Sequence, residues 1–504
     1  MLKAYKAGTL PFKPKCSYEL LYEQLVYMKA KLKILEKRAE IEGIELIMAD
    51  RYDLIVIGAG PGGYEAAIEA AKSGMKTALI ERRELGGTCL NRGCIPTKTL
   101  LHTAELYREV RGASTIGLEA ENLRCNMAQL QARKNAVVEQ LRGGIASLMK
   151  ANKVTVIQGS ASIVDSGRVR IEPEGTELET EHILIATGST PAVPPIPGAD
   201  LPGVVTSDEL LDCDALPQSL VIIGGGVIGM EFASVFSALG CRVTVIEALE
   251  RILANMDKEI SQNLKMIMKK RGVDIHASAM VQEIAADPEG GLTCRYAEKD
   301  KPAQAQGGLV LIATGRRACT EGLFAADASE AVTSMAMERG RIQVNGRFET
   351  SVPGIYAIGD VTGGIQLAHA ATAQGRNAVA AMAGKEPSID LSVIPGCVYT
   401  DPEIGCAGIT ADEAKAAGLE IISRKYVMGA NGKSVLSGQE RGFIKIVAAS
   451  DTHRILGAQM MCARATDMIS QFSAAIVNGL TLEDLARVVF PHPTFSEAIG
   501  EAAR

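Results

Sequence analysis

Tryptophan is missing from the 504-residue sequence, an absence that carries no functional message. Other absences say more. No run of about eighteen apolar residues occurs, so nothing in the chain is expected to span a membrane. The 11 cysteines are odd in number and scattered, unlike the framework of a secreted disulfide-rich protein. A reducing compartment is therefore expected, the cytoplasm first and the mitochondrial matrix as the runner-up. The N-terminus has neither the uninterrupted apolar core nor the cleavage site of a secretory signal. Residues 1–15 lack acids, as a mitochondrial transit segment would, but they also lack the Arg and Ser such a segment uses. A net charge of −6 offers no basic footprint for nucleic acid. Only one close pair of cysteines stands out, at 89 and 94, and no second close Cys or His pair accompanies it. A structural zinc usually takes four ligands from two such pairs, so no metal is expected.

A hydrophobic share of 47% beside 22% charge describes a globular chain with a large core. The length corresponds to three or four domains of roughly 100 to 200 residues each. The 51 glycines exceed the usual share of about 7%, and doubly wound nucleotide-binding folds are a known cause of such an excess.

Two stretches repeat one pattern. Residues 52–57, Tyr-Asp-Leu-Ile-Val-Ile, read as a buried strand. Gly58, Gly60 and Gly63 follow as G-x-G-x-x-G and open a helix expected over Tyr64 to Ser73. A second strand, Thr77 to Ile80, ends in Glu81. The unit recurs with a strand at Leu220 to Ile223, then Gly224, Gly226 and Gly229, a helix, and a strand from Arg242 to Ile246 ending in Glu247. Such glycines let the backbone approach a pyrophosphate, and the helix N-terminus supplies free N–H groups and a positive dipole. The acid at the end of the second strand takes the ribose hydroxyls. One G-x-G-x-x-G is weak evidence; two, each in the full strand–turn–helix–strand–acid order, imply two dinucleotides. Glu247 favours NAD over NADP, because a carboxylate accepts from a 2′-hydroxyl and repels a 2′-phosphate.

Between the copies, residues 86–98 read Gly-Gly-Thr-Cys-Leu-Asn-Arg-Gly-Cys-Ile-Pro-Thr-Lys. Paired thiols in an enzyme of this composition mean metal or redox chemistry, unless they are two inert buried cysteines, the usual fate of a free Cys. The glycine-rich surround and the phosphate-binding pattern upstream favour a disulfide that cycles beside a cofactor. A helical stretch follows to about Lys150, then β-prone segments from Val154 to Ile185. A proline-rich crossing at Pro191 to Pro197 reads as a domain boundary.

The motif GGTCLNRGCIPTK resembles the redox-active disulfide of the pyridine nucleotide-disulfide oxidoreductases. Within them it is most similar to the dihydrolipoamide dehydrogenases, the E3 components of 2-oxo acid dehydrogenase and glycine cleavage systems. The resemblance runs over residues 51 to 504. It implies an α/β fold with two Rossmann-like dinucleotide-binding domains, for FAD and NAD, and a C-terminal α+β dimerisation domain. The expected divisions are a helical extension at 1–50, an FAD-binding domain with the disulfide at 51–192, an NAD-binding domain at 193–320, a central domain completing the FAD site at 321–390 and an interface domain at 391–504.

It also implies roles. Cys89 is the exposed sulfur attacked by a dithiol substrate, and Cys94 becomes the thiolate against the flavin. Lys98 and Glu231 match an ion pair near the flavin. Thr88, Thr187, Gly188 and Ser189 are expected on the FAD side, with Val281 and Gly315 on the NAD side. Residues 354–360, Gly-Ile-Tyr-Ala-Ile-Gly-Asp, read as a strand ending in Asp360, the acid this family directs to the ribityl chain. Leu367, Ala368 and His369 start the next helix beside the flavin, with His369 itself more structural than catalytic. His492 lies in a His-Pro-Thr-x-Ser-Glu motif, a general base oriented by Glu497 and supplied from the partner subunit. His102, His182, His276 and His453 fall in no motif.

The implied protein is a homodimer that oxidises dihydrolipoamide on a lipoyl-carrying E2 or a glycine cleavage H-type protein. A glutathione-type reductase would want positive charge near Glu247. Mercuric and large thioredoxin reductases add C-terminal Cys or selenocysteine pairs, whereas the last cysteine here is Cys462. A non-catalytic flavoprotein scaffold is the alternative from another class, and the intact Cys89, Cys94 and His492 argue against it.

The first fifty residues lie outside the resemblance. Pro11 and Pro14 set residues 1–16 against helix. Ser17 is expected to cap a helix with Glu19 in its first turn. Leu21, Leu25, Met28, Leu32, Leu35 and Ala39 then form a narrow seam at heptad-like spacing, with Gly43 to end it. Lysines at 29, 31, 33 and 37 crowd the other faces, which suits an acidic partner surface, although packing on its own body remains an equal reading.

Overall fold

The computed structural model describes residues 17–42 and 51–504. The chain forms two units, Met1–Arg51 and Tyr52–Arg504. In the first, one helix runs over Tyr18–Glu42. Ser17 caps it as expected, its Oγ accepting from the Leu20 N–H at 3.3 Å. Of the seam, Leu21 is half-buried while Leu25 and Met28 are exposed. Gly43 and the loop expected over 1–16 lie outside the described residues.

In the second unit, the strand Arg51–Ile57 is buried at Leu54, Ile55, Val56 and Ile57. It neighbours Thr77–Glu81 in parallel and Thr176–Ile185, within a seven-stranded sheet that also holds Thr155–Gln158, Arg168–Glu172, Ser160–Asp165 and Ile355–Ala357. The helix joining the first two strands spans Pro61–Lys72, starting three residues before the expected Tyr64. Proline at the first turn explains the shift, because its fixed φ suits that position and its missing N–H costs no intrahelical bond. The helical stretch after the thiol motif resolves into Gly87–Arg92, Cys94–Gly112, a short 3-10 turn and Met127–Ala151.

The second copy builds a five-stranded sheet in the order Asp274–Ala277, Arg242–Glu247, Ser219–Ile223, Leu309–Ile312, Val204–Val205. Every pairing in it is parallel. Such a sheet is covered on both faces, so its central strand is buried throughout: Ser219–Ile223 is buried at every position. A two-stranded antiparallel pairing of Ser189–Pro191 with Arg316–Ala318 links the two nucleotide-binding regions. The C-terminal region folds as an antiparallel sheet, Gly396–Val398, Ile404–Gly408, Ile455–Met461, Phe443–Ala449 and Ile421–Val427. The helices Ala465–Val477 and Glu497–Ala503 pack on it over a core that includes Phe472, Met460 and Ile499. Among the described residues, no helix is long and apolar enough to cross a membrane.

Candidate functional site

Both glycine motifs open onto one cavity of about 1450 Å³. The glycines differ in what they do. Gly58 has φ 101° and Gly224 φ 113°. A Cβ on either would lie 2.5 Å from the Ala186 carbonyl or 2.4 Å from that of Ala313. A Cβ on Gly63 or Gly229 would lie 1.9 or 2.0 Å from the carbonyl of Gly58 or Gly224. These four glycines let strand and helix close up. Gly60 and Gly226 are another matter: a Cβ there meets nothing within 4 Å, yet both line the cavity. A side chain at either would intrude only on a ligand. Each is the N-cap of the following helix, so free N–H groups and the positive end of the helix face the cavity.

The acids at the ends of the second strands are locked by backbone. Glu81 accepts from Ala59 N at 2.7 Å and Arg83 N at 2.8 Å. Glu247 accepts from Gly225 N at 2.5 Å and Leu249 N at 2.7 Å. Thr187 also lines the cavity, and its hydroxyl is buried with no protein partner. Fixed carboxylates, unblocked helix ends and an orphaned hydroxyl fit a dinucleotide in each cradle. Glu247 is followed by Ala248, Leu249 and Glu250; the next residue, Arg251, donates to the Ala254 carbonyl at 2.7 Å and does not line the cavity.

The thiol motif stands on the same cavity. Cys89 lies in the helix Gly87–Arg92, and Cys94 opens the next, with Gly93 between them at φ −143° and ψ −112°. Both sulfurs reach the cavity. Taken as whole residues, Cys94 is exposed and Cys89 half-buried. The break at Gly93 starts a new helix at Cys94 and leaves Cys89 within the preceding turn. The hydrogen bond with Cys89 pulls the Cys94 thiol down to about 7, against burial and with help from the Lys98 ammonium. That same bond and burial push the Cys89 thiol up. Negative charge in the reduced pair therefore settles on Cys94.

Lys98 follows one turn later and donates to Oε1 and Oε2 of Glu231 at 2.9 and 2.7 Å. Glu231 comes from the helix Val227–Ala238 of the second copy and is 3% exposed. Breaking this pair from one side would strand a buried carboxylate at a cost of about 3–5 kcal/mol.

Asp360 does not end a strand. The strand is Ile355–Ala357, and Asp360 sits in the 3-10 turn Gly359–Thr362, because Gly359 takes φ 70° and turns the chain out of the sheet. Asp360 accepts from Ser189 Oγ at 2.5 Å. Arg316 donates to that hydroxyl at 2.7 Å and to the Ser189 carbonyl at 2.8 Å. Arg316 was not singled out from sequence; only the strand pairing across 127 residues reveals it. Leu367 is the N-cap of the helix Ala368–Met382, and His369 is pinned by Nε2 to the Pro395 carbonyl at 2.8 Å. Thr88, Gly188, Val281 and Gly315 all line the cavity, whereas Gly229 packs behind it.

His492 and Glu497 are not part of that lining. His492 Nδ1 pairs with Glu497 Oε1 at 2.9 Å, and the other carboxylate oxygen accepts from Thr494 N at 2.9 Å. The Thr494 N–H first, then the imidazole, hold the Glu497 carboxyl below its usual range. With Nδ1 engaged, Nε2 is left to work, and the His492 side chain is 77% exposed. The pair is assembled but open to solvent within one chain.

Comparison with known proteins agrees with this geometry. Residues 52–375 match the pyridine nucleotide-disulphide oxidoreductase family, and residues 394–503 match that family's dimerisation domain. A dihydrolipoyl dehydrogenase of Bacillus subtilis is 41% identical over 471 residues, covering 90% of this chain and 98% of its own length. One from Chlamydia trachomatis is 39% identical over 459 residues, covering 90% and 97%. Among solved structures, the HOCl-induced flavoprotein disulfide reductase RclA from Escherichia coli superposes with a TM-score of 0.80 at 32% identity, over 90% of this chain and 99% of that one. LpdA from Mycobacterium tuberculosis superposes at 0.82 with 28% identity, over 90% and 99%. Two glycine cradles and a thiol pair on one cavity, with matches of this extent in sequence and shape, place the chain in the pyridine nucleotide-disulphide oxidoreductase family.

Proposed function

We propose that this protein is an FAD-containing, NAD-linked dihydrolipoyl dehydrogenase that acts as the E3 component of a 2-oxo acid dehydrogenase or glycine cleavage system. The observation that carries the reading is the single cavity shared by Cys89, Cys94 and both dinucleotide cradles. Such an arrangement can bring a dithiol, a two-electron carrier and a nicotinamide to one place. The matched dimerisation domain supports a homodimer. The lipoyl group would arrive on an E2 or H-type carrier protein. Domain divisions near residues 192, 320 and 390 follow from the same reading.

In the proposed mechanism, His492 of one subunit serves the cysteine cavity of the other. Its Nε2 takes the proton of a substrate thiol, and the resulting thiolate attacks Cys89 Sγ of the Cys89–Cys94 disulfide. The S–S bond breaks, and Cys94 leaves as a thiolate stabilised by Lys98. The second substrate thiol then attacks the mixed disulfide, releasing the oxidised dithiol and leaving two electrons on the cysteine pair. Bound FAD supplies the carrier for those electrons, and NAD accepts them as hydride. Glu81 and Glu247 would hold the ribose hydroxyls of the two cofactors, and Asp360, fixed by Ser189, itself held by Arg316, would hold the ribityl side of FAD.

The direct test is reduction of NAD by dihydrolipoamide, with glutathione and NADPH as controls. Turnover with NADPH and oxidised glutathione in place of the lipoamide reaction overturns the assignment. Cofactor choice is tested separately by Glu247→Arg, which should weaken NADH by about 1–3 kcal/mol, roughly ten- to a hundred-fold, and improve NADPH. An unchanged ratio of the two KM values would mean that Glu247 serves only to cap Gly225 and Leu249.

A further inference from the structure

Tyr399 reaches the thiol chemistry from the C-terminal sheet, just past the strand Gly396–Val398. Its ring lies over the Lys98 ammonium, 4.6 Å from Nζ to the ring centroid. Its backbone N–H donates to Oε1 of Glu231 at 3.0 Å, the carboxylate that also binds Lys98. One residue thus touches both halves of the ion pair, by two different atoms. The Lys98 side chain is 29% exposed and ends a flexible four-carbon stem that can swing into the cavity it lines. Glu231 anchors the ammonium from one side, and the ring attracts it from another through its quadrupole. Burial, then the neighbouring Cys397 and Glu403, push the Tyr399 phenol up to about 12, so the ring stays neutral and leaves the lysine charge undiminished.

We propose that Tyr399 is a positioning residue for the thiol chemistry: its ring and its backbone N–H together hold the Lys98–Glu231 pair so that the ammonium stays beside Cys94. The proposal rests on the redox role given to Cys94 above. Cys89 bears on Cys94 through a hydrogen bond, and Lys98 and Glu231 through their charges, so displacement of the ammonium is read by the Cys94 thiol. A leucine at 399 would fill similar space and keep the backbone N–H while presenting no quadrupole. A phenylalanine keeps the ring and loses only the hydroxyl.

The experiment uses full-length protein carrying Cys89→Ser, in which carbamidomethylation of Cys94 by iodoacetamide is followed against pH by peptide mass spectrometry. Tyr399→Leu should move the alkylation midpoint upward by about half a pH unit, since cation–π attractions correspond to shifts of that order. Tyr399→Phe should titrate with the parent. In a background carrying Lys98→Met and Glu231→Gln, which removes the ion pair as a unit, Tyr399→Leu should move nothing further. Should the leucine chain fail to fold, Tyr399→Met repeats the measurement with an adaptable side chain of similar bulk. A ringless chain that titrates with the parent, a phenylalanine chain that shifts as far as the ringless one, or a shift that persists without Lys98 each overturns the proposal. Alkylation requires neither dihydrolipoamide nor turnover, so its outcome is independent of the substrate assay that tests the proposed function.

Discussion

Cys89→Ser should abolish NAD reduction by dihydrolipoamide and leave a protein whose long-wavelength absorption titrates near neutrality. The loss is complete because no other sulfur can form the mixed disulfide: Cys94 remains, but without its partner there is no S–S bond for a substrate thiolate to attack. The colour follows from the electrostatics. In the reduced pair, a hydrogen bond from Cys89 and the Lys98 ammonium bring the Cys94 thiol down to about 7. A serine hydroxyl can still donate, and Lys98 is untouched. As pH rises through the Cys94 pKa the thiolate forms and, next to bound FAD, gives a charge-transfer band; as pH falls below it the band fades. A spectrophotometric titration of the purified variant measures both midpoint and direction. A variant that keeps its flavin but shows no band at any pH would reverse the roles of the two sulfurs.

His492→Gln should lower turnover with dihydrolipoamide by about 10² to 10⁴, the range expected when a general base is removed. Glutamine keeps a polar side chain of similar reach but cannot take a proton from a thiol. Electron transfer from NADH to an artificial dye bypasses the thiol step and should survive. Stopped-flow and steady-state assays of both reactions separate these outcomes; equal loss of both would make His492 structural. Because His492 and Glu497 are outside the cavity of their own chain, a second consequence concerns assembly. Mixing Cys89→Ser chains with His492→Gln chains, each inactive alone, should restore roughly a quarter of the wild-type sites. Half of randomly formed dimers are hybrids, and each hybrid has one complete site. No recovery on mixing would confine His492 to its own subunit.

Most of the machinery was legible where it depends on a few consecutive residues. The glycine cradles are local: Gly58 and Gly224 need positive φ, Gly60 and Gly226 need the absence of a side chain, and the acids follow at the end of the next strand. Those demands restrict residue type within a short window, so the pattern survives in the sequence. The same holds for His492 and Glu497, which pair across five residues, and for Cys89, Cys94 and Lys98 around the Gly93 break. Family resemblance supplied the Lys98–Glu231 pair, which no periodicity connects.

What tertiary structure alone decided are the contacts made across great chain distance. Arg316 reaches Ser189 across 127 residues and Tyr399 reaches Glu231 across 168. Nothing in the sequence near either residue requires its partner, because packing of separate sheets, not backbone conformation, brings them together. The sequence by itself determined which chemistry the chain could hold, through glycine, cysteine and acid at set spacings. The fold decided which side chains bring that chemistry to a working charge, because burial and long-range approach shift a thiol and anchor a lysine in ways that no local pattern encodes.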